Sequence, residues 1–125
     1  MIVGLGVDIT QVDRIAATIQ RRGRPFLDRI FTPAEIAYCE RHRDPAERFA
    51  GRFSAKEAAM KALGTGWTNG VRWKDIEVVR ERSGKPALKL SGVSRSIADR
   101  LGVKNISMTI THDGNTALAQ VIFES

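Results

Sequence analysis

The chain is predicted to fold as an α+β protein, with helices packed against a mainly antiparallel sheet. Its 125 residues, 42% of them hydrophobic and 27% charged, match the size and balance of a single compact domain over residues 1–125. After one N-terminal strand, helix signals cluster in the first half of the chain, and antiparallel strand signals cluster in the second half. This segregation is typical of α+β proteins, whereas a doubly wound parallel sheet would show regular alternation.

A short strand and a helix are predicted at the start of the chain. Residues 2–7 are apolar and rich in β-branched side chains, which predicts a buried strand that ends at Asp8. Thr10 resembles a helix cap, and apolar residues with helical spacing follow it. The break at Gly23 and Pro25 predicts the end of this helix.

Two further helices have explicit start signals. Thr32 and Asp44 are each followed by a proline at the first helical position and a glutamate at the third. We expect the two helices over residues 33–43 and 45–63, and Gly64 ends the second of them.

Two hairpins separated by a short helix are predicted for the second half. Alternating apolar and polar residues indicate strands over residues 76–80, 87–90, 106–111 and 116–123. Turn residues around Gly84 and Gly114 connect the strands of each pair, and a helix over 93–101 joins the two hairpins.

The charge of the chain narrows the classes of partner. A formal net charge of +6 and a pI near 10.1 favour polyanions, which include nucleic acids, acidic proteins and phosphorylated small molecules. A small nucleic-acid-binding protein is therefore the main alternative to an enzyme. The 14 acidic residues interspersed with the basic ones and an aromatic content of only 6% argue against it, because little remains for base stacking.

Cysteine content and hydropathy favour an intracellular protein. Cys39 is the only cysteine, so no internal disulfide is possible and a reduced, packed thiol is expected. No run of about 18 apolar residues and no secretory signal is evident. We expect a cytoplasmic protein with no membrane partner.

Two acidic residues and a lysine are candidates for chemistry. Glu57 and Lys61 lie on one face of the predicted helix 45–63, and taken alone they are an ordinary exposed pair worth about 0.3–0.5 kcal/mol. The surrounding alanines and aromatics predict a helix packed on several sides, where isolated charges are costly. Asp8 offers a second carboxylate, and one or two acids plus a substrate phosphate are the ligands that magnesium usually takes.

Several other residues have competing interpretations. Gly4 and Gly6 favour close packing over phosphate approach, because no third glycine follows at dinucleotide-fold spacing. His112 favours a structural, hydrogen-bonded role, although beside Thr111 it is also placed to hold phosphate oxygens. A structural oligomer subunit without activity is a third possibility, in which the charges on the alanine-rich helix would be incidental.

Taken together, several segments resemble one family, the stand-alone bacterial holo-acyl carrier protein synthases. The segments are Ile2-Val3-Gly4-Leu5-Gly6-Val7-Asp8-Ile9, Phe31-Thr32-Pro33-Ala34-Glu35, Arg52-Phe53-Ser54-Ala55-Lys56-Glu57-Ala58, Lys61-Ala62-Leu63-Gly64-Thr65-Gly66, Gly84-Lys85-Pro86 and Ile110-Thr111-His112. They follow the order of the family and span nearly the full length of the chain.

The resemblance implies a phosphopantetheinyl transferase fold and a magnesium-dependent reaction that supports fatty acid biosynthesis. In this family, the 4'-phosphopantetheine arm of coenzyme A is transferred to a serine hydroxyl of apo-acyl carrier protein, with release of adenosine 3',5'-bisphosphate. Asp8 and Glu57 match the metal-binding acids, and Lys61 matches a residue that neutralises phosphoryl charge. Either Glu57 or a metal-bound water would accept the serine proton.

The resemblance also implies positions for both substrates and an assembly. Residues that match coenzyme A contacts are Arg52, Lys61, Gly64, Gly84, Lys85, Pro86, Thr111 and His112. Arg14, Arg21 and Arg24 match a basic helix that meets the acidic recognition helix of the carrier protein. Family members form homotrimers with sites between subunits, and nucleic acid is not an expected partner.

Overall fold

The computed structural model describes residues 1–66 and 68–125, and it confirms the predicted α+β fold. The first half contains one strand and four helices: β1 (Ile2–Gln11), α1 (Val12–Arg22), α2 (Arg24–Ile30), α3 (Pro33–Glu40) and α4 (Pro45–Leu63). The second half contains a 3-10 turn (Trp73–Asp75), β2 (Ile76–Arg80), β3 (Pro86–Leu90), α5 (Gly92–Leu101), β4 (Asn105–Asp113) and β5 (Thr116–Glu124).

The strands form two antiparallel sheets. A three-stranded sheet has the order β1-β5-β4, and β2 pairs with β3 in a two-stranded sheet. In the larger sheet Asp8 lies opposite Ala119, and Ala119 lies opposite Ile110. Because side chains alternate along a strand, one face of this sheet packs against α4 and the other face is left outward.

α4 lies against the inner face of the three-stranded sheet at very short range. A Cβ atom placed on Gly6 would overlap the carbonyl oxygen of Ala58, and one on Gly4 would overlap that of Ala62. The two glycines therefore allow β1 to approach the backbone of α4 directly. This confirms the interpretation of Gly4 and Gly6 as close-packing residues.

Two hydrophobic clusters flank α4. One joins α4 to the two sheets and α5 through Met60, Ile76, Val121 and other apolar side chains. The other joins α1, α2 and α3 to the N-terminal half of α4 around Phe31 and Phe49. Cys39 is fully buried in this second cluster, and burial raises the pKa of its thiol to about 12, so the predicted packed thiol is confirmed.

The start of the chain differs from the prediction. β1 continues to Gln11, so Asp8 lies inside the strand and not at its end. Thr10 is not a helix cap, because it belongs to the strand and its hydroxyl points to Asp8 and Ser54. α1 instead begins after Gln11, which makes no capping hydrogen bond with its side chain.

The helix boundaries are confirmed in part. The capping box of Thr32 and Glu35 is present, but α3 ends at Glu40 and not at residue 43. Asp44 precedes α4 without capping it through its side chain, so the second predicted cap is not formed. α2 is absent from the prediction, because Pro25 was interpreted as a break whereas it occupies the first turn of a new helix.

The second half of the chain matches the prediction closely. Each predicted strand and the helix differ from the observed bounds by two residues or fewer at either end. α4 ends at Leu63, and Gly64 adopts the left-handed conformation expected of a C-terminal cap, with φ 80°. In the described ranges, no helix has the length and apolar character needed to span a membrane.

Candidate active site

β1 and α4 bring Asp8 and Lys61 into direct contact. The Lys61 ammonium donates hydrogen bonds to the carbonyl oxygen of Val7 at 2.9 Å and to Asp8 Oδ1 at 3.3 Å. The Asp8 side chain is mostly buried, whereas that of Lys61 is about half exposed. The close approach of β1 to α4 at Gly6 is what lets a lysine on the helix reach the strand backbone.

Glu57 lies one helical turn before Lys61 and shares the site with Asp8. Partial burial raises the pKa of the Glu57 carboxyl, the negative charge of Asp8 raises it further, and Lys61 opposes both effects. The influence of Asp8 on this pKa indicates that the two carboxylates are electrostatic neighbours. Two acids that repel each other in this way favour a cation between them.

A polar cavity of about 520 Å³ opens beside these acids. It lies between the end of β1, α1 and α4, and it is lined by Asp8, Ile9, Thr10, Gln11, Arg14, Ile15, Thr18, Phe53 and Glu57. Within residues 1–66 and 68–125, no cluster of three or more histidine, cysteine or acidic side chains has metal-binding geometry. The two carboxylates fit a hard divalent cation that takes its remaining oxygen ligands from water and substrate, as magnesium does.

A threonine hydroxyl contacts the Asp8 oxygen that Lys61 does not, and a serine hydroxyl lies behind it. Thr10 Oγ1 lies 3.2 Å from Asp8 Oδ2, and Ser54 Oγ lies 2.5 Å from Thr10 Oγ1. Sequence reasoning missed this contact because it assigned Thr10 to the start of a helix. The two-residue spacing of Asp8 and Thr10 on one strand was the available signal, since such residues share a face.

A second cluster gathers three arginines around the ring of Tyr38. The guanidinium carbons of Arg52, Arg80 and Arg41 lie 4.1, 4.8 and 5.9 Å from the ring centroid. Arg52 is only 5% exposed. These residues line a cavity of about 230 Å³ between α3, α4 and β2, and Glu35 and Glu77 also border it. Three guanidinium groups this close favour an anion, because arginine binds phosphate through several parallel hydrogen bonds.

Comparison with known proteins assigns the chain to a family. A model of the 4'-phosphopantetheinyl transferase superfamily matches residues 4–121. The chain belongs to this superfamily. The segment that matches contains the two acids and Lys61 as well as the arginine cluster around Tyr38.

Several proteins similar to this chain are holo-acyl-carrier-protein synthases. A holo-acyl-carrier-protein synthase of Solibacter usitatus is 56% identical over 125 residues, with 100% of both chains covered. The crystal structure of a holo-acyl-carrier-protein synthase from Neisseria meningitidis superposes with a TM-score of 0.91 at 32% identity, covering 100% of both chains. A Helicobacter pylori synthase in complex with coenzyme A has a TM-score of 0.85 at 31% identity, covering 96% of this chain and 99% of that one.

The β2–β3 turn of this superfamily member lies next to the arginine cluster. Gly84 has a φ of 93°, which glycine adopts readily, and its carbonyl oxygen accepts a hydrogen bond from Arg80 Nε at 3.2 Å. Lys85 is exposed and Pro86 begins β3. The three predicted turn residues are therefore close to Arg80, a residue that sequence reasoning missed together with Tyr38.

His112 and Thr111 lie on opposite faces of β4. His112 Nε2 is 3.1 Å from the carbonyl oxygen of Glu47, and the imidazole packs against Gly51. These contacts agree with the structural interpretation of His112. Thr111 is exposed on the outward face of the sheet, so within one chain it does not join the Asp8 cavity.

The predicted carrier-binding arginines are exposed on one side of the molecule. Arg14 lines the Asp8 cavity, and Arg21 lies in the last turn of α1. Arg24 forms an ion pair with Asp28 at 3.0 Å and lies 3.9 Å from Glu40. A neighbouring cavity of about 570 Å³ has apolar walls and two further arginines; it is lined by Arg22, Pro25, Phe26, Arg29, Ile30, Phe53 and Trp73.

Within one chain, the predicted catalytic and coenzyme A residues of β1, α4 and the β2–β3 turn fall into two groups, and Thr111 and His112 lie apart from both on β4. Asp8, Glu57 and Lys61 form the first group, whereas Arg52 and the β2–β3 turn belong to the second. Arg52 and Glu57 are five positions apart on α4, which places them about 140° apart around the helix. Gly64 is nearer the first group, since its N–H donates to the carbonyl oxygens of Met60 and Lys61.

Proposed function

We propose that this chain is a holo-acyl-carrier-protein synthase, which transfers the 4'-phosphopantetheine group of coenzyme A to a serine hydroxyl of apo-acyl carrier protein and releases adenosine 3',5'-bisphosphate. The observation that carries the proposal is the pair of carboxylates, Asp8 and Glu57, beside Lys61 in an open polar cavity. The names of the full-length relatives agree with it. The role expected from this activity is in fatty acid biosynthesis, and a cytoplasmic location stays a prediction.

Asp8 and Glu57 are proposed to hold one Mg²⁺ together with the diphosphate of coenzyme A. The repulsion that raises the pKa of Glu57 supports this assignment, because a cation between the acids would relieve it. When bound, the cation would neutralise charge on the phosphoryl oxygens of the substrate.

The side chains of the protein itself are proposed to position the substrates and to neutralise phosphoryl charge. Lys61 is fixed at the Val7 carbonyl and at Asp8, so its ammonium is held next to the carboxylate beside which phosphoryl charge would develop. The carrier serine attacks the β-phosphorus of coenzyme A and loses its proton. Glu57 is the candidate acceptor within the chain, because its carboxylate borders the cavity that the serine would enter. A water molecule bound in the cavity is the alternative acceptor.

A homotrimer is proposed to complete the site. The outward face of the three-stranded sheet exposes Leu5, Val7 and Ile9 to 56%, 40% and 58%, and Leu118 and Ile122 lie opposite Ile9 and Leu5 in register. An apolar face of this kind on one sheet is typical of a protein interface. Other copies of the chain are its proposed occupants.

The trimer also accounts for the division of the site residues. Thr111 lies on the same outward sheet face, and Arg52 lies far around α4 from Glu57. We propose that the arginine cluster and Thr111 of one subunit bind the coenzyme A whose diphosphate reaches Asp8 of its neighbour. The Gly84-Lys85-Pro86 turn would then border the nucleotide.

Acyl carrier protein is proposed to dock beside α1. Arg14 and Arg21 supply positive charge, and the adjacent apolar cavity at Phe26 and Phe53 offers a recess for an apolar side chain of the carrier. Arg24 would contribute less than the other two, because Asp28 already pairs with it.

A transfer assay tests the proposed function. Purified protein is incubated with coenzyme A, Mg²⁺ and apo-acyl carrier protein, and mass spectrometry measures the carrier. The added phosphopantetheine arm is expected with Mg²⁺ and is expected to be lost with a chelator. A carrier of unchanged mass under all conditions, combined with salt-sensitive binding to DNA, would instead support the nucleic-acid alternative.

A further inference from the structure

The carboxylate of Asp8 is contacted at both oxygens, by two different side chains. Lys61 Nζ approaches Oδ1 at 3.3 Å, and Thr10 Oγ1 approaches Oδ2 at 3.2 Å. Lys61 belongs to the proposed reaction machinery, whereas Thr10 has no role in it so far. Thr10 is buried between β1 and α4, so its hydroxyl has little access to water.

Behind Thr10 lies the fully buried hydroxyl of Ser54. Ser54 Oγ is 2.5 Å from Thr10 Oγ1 and 3.5 Å from the carbonyl oxygen of Ala117. The three polar groups Asp8, Thr10 and Ser54 therefore form a continuous line from the cavity into the interior between the sheet and α4.

The number of hydroxyl protons indicates the direction in which hydrogen bonds are donated along this line. Thr10 and Ser54 each have one hydroxyl proton, but three contacts are available to them: Thr10 to Asp8, Thr10 to Ser54, and Ser54 to Ala117. A hydrogen bond to a carboxylate is about twice as strong as one between neutral groups. The contact to Ala117 is the longest of the three. The two protons are thus best used when Ser54 donates to Thr10 and Thr10 donates to Asp8.

We propose that Thr10 and Ser54 are positioning residues that fix the Asp8 carboxylate for cation binding. The inference deepens the proposed function and rests on it. Held by Thr10 at one oxygen and Lys61 at the other, the carboxylate cannot rotate freely, so its remaining lone pairs point to the cavity before the cation arrives. Removal of such an outer hydrogen bond typically weakens metal binding about 10–100-fold.

The direction of donation predicts an unequal response to mutation. Thr10→Val removes the donor to Asp8 and keeps the shape of the side chain, so affinity for a divalent cation should fall by about tenfold. Thr10→Ser keeps the hydroxyl and should retain an affinity near that of the wild type. Ser54→Ala removes only the donor to Thr10, which can still donate to Asp8, so it should weaken binding less than Thr10→Val.

Binding of Mn²⁺ measures this effect without turnover. Electron paramagnetic resonance titrations use Mn²⁺ and coenzyme A with the full chain and no carrier protein. Thr116→Val, on β5 and outside the proposed site, is the matched control and should bind as the wild type does. Thermal melting checks that each variant is folded, and Thr10→Ala, which also removes the donor to Asp8, replaces Thr10→Val if that variant does not fold.

Three outcomes would overturn the inference. They are wild-type affinity in Thr10→Val, a larger loss in Ser54→Ala than in Thr10→Val, or no Mn²⁺ binding by the wild type. The transfer assay separates this failure from that of the proposed function. A Thr10→Val protein that binds Mn²⁺ normally refutes the positioning role while wild-type transfer stands, whereas absent transfer with intact differences in Mn²⁺ binding refutes the function alone.

Discussion

Among the single residues of the site, Glu57 shows most directly how a reactive group can oppose folding. Its carboxyl loses water contacts and faces Asp8, and both effects make the ionised form less favourable. The protein keeps this acid although a neutral residue of the same shape would fit with less repulsion. Such a local loss of stability is common where a group serves chemistry.

Neutralising either acid is expected to abolish transfer. Asp8→Asn and Glu57→Gln should each lower the transfer rate at least about 100-fold, because each change removes a charged ligand for the cation. Initial rates at saturating coenzyme A measure the effect. Asp99→Asn, at an exposed acid on α5, is the control and should keep full activity. Near-normal rates in both site variants would disprove the proposed centre.

The pH dependence of stability should report the raised pKa of Glu57. An acid whose folded pKa exceeds its unfolded value of about 4.3 adds stability at lower pH and loses it as pH rises through the folded pKa. At neutral pH, the metal-free wild type should therefore have a lower melting temperature than Glu57→Gln. This difference in melting temperature should vanish near pH 4. Calorimetric melting from pH 4 to 8 checks this, and a gap that widens toward acid would contradict it.

At the scale of secondary structure elements, a buried ion pair connects α3, α4 and β2, the elements that contribute to the arginine cluster. Lys56 Nζ lies 2.8 Å from Glu35 Oε1, and both side chains are fully buried. Lys56 also donates to the carbonyl oxygens of Trp73 and Ile76, and Glu35 accepts from Val78 N. The pair thereby holds α3, α4 and β2 in fixed positions relative to one another, and these three elements contribute residues to the arginine cluster.

Replacing one member of this pair should lower the free energy of unfolding more than replacing both. Glu35→Gln leaves the Lys56 charge buried without its partner, so the free energy of unfolding should fall by about 3–5 kcal/mol. The double variant Glu35→Gln with Lys56→Met should recover part of that loss. Urea unfolding of the wild type, both single variants and the double variant provides the cycle. Additive losses would show that the two residues are not coupled.

Local signals explain which elements the sequence predicts. The capping box at Thr32 and the glycine after Leu63 depend on residues within one or two turns, so α4 and the start of α3 can be predicted. α2 was missed because a proline is compatible with both the end of one helix and the first turn of another. Thr10 was misassigned because strand and cap signals overlap at that position.

The arrangement of the site depends on contacts between distant parts of the chain, which the spacing of residues in the sequence does not predict. Asp8 and Glu57 were predicted to meet only through their chemistry and the family resemblance, and the effect of Asp8 on the pKa of Glu57 supports that approach. The cluster of Tyr38 with Arg52 and Arg80 joins three separate elements, so no local pattern indicates it.

At the scale of the whole molecule, the distribution of apolar and basic surface matters most. The outward sheet face and the arginine-bordered cavity beside α1 lie on different parts of the chain. The first is the proposed contact between copies of the chain, and the second is the proposed docking site of the acidic carrier protein.

A charge placed on the outward sheet face should separate the subunits. Leu5→Glu would bury a carboxylate in the proposed interface, so the trimer should dissociate to the 13.8 kDa chain and transfer should fall with it. Analytical ultracentrifugation measures the mass. Leu101→Glu, at the end of α5, is the matched control because Leu101 is also an exposed leucine. A wild-type protein that sediments as a monomer would refute the trimer.

Charge reversal on α1 should affect the carrier protein more than coenzyme A. Arg14→Glu and Arg21→Glu should raise the KM for acyl carrier protein about tenfold or more, since they convert attraction into repulsion at the docking face. Steady-state kinetics with each substrate varied in turn test this. Arg100→Glu on α5 is the control for net charge. Equal changes in both KM values would place the carrier elsewhere.

Because α4 presents site residues on two faces, damage to one subunit would affect more than one reaction centre of the proposed trimer. In a trimer, each copy of this helix would supply Glu57 and Lys61 to one reaction centre and Arg52 to the next. Any small slide or rotation of the helix would then misalign two centres at the same time. A single damaged subunit would leave just one intact centre out of three.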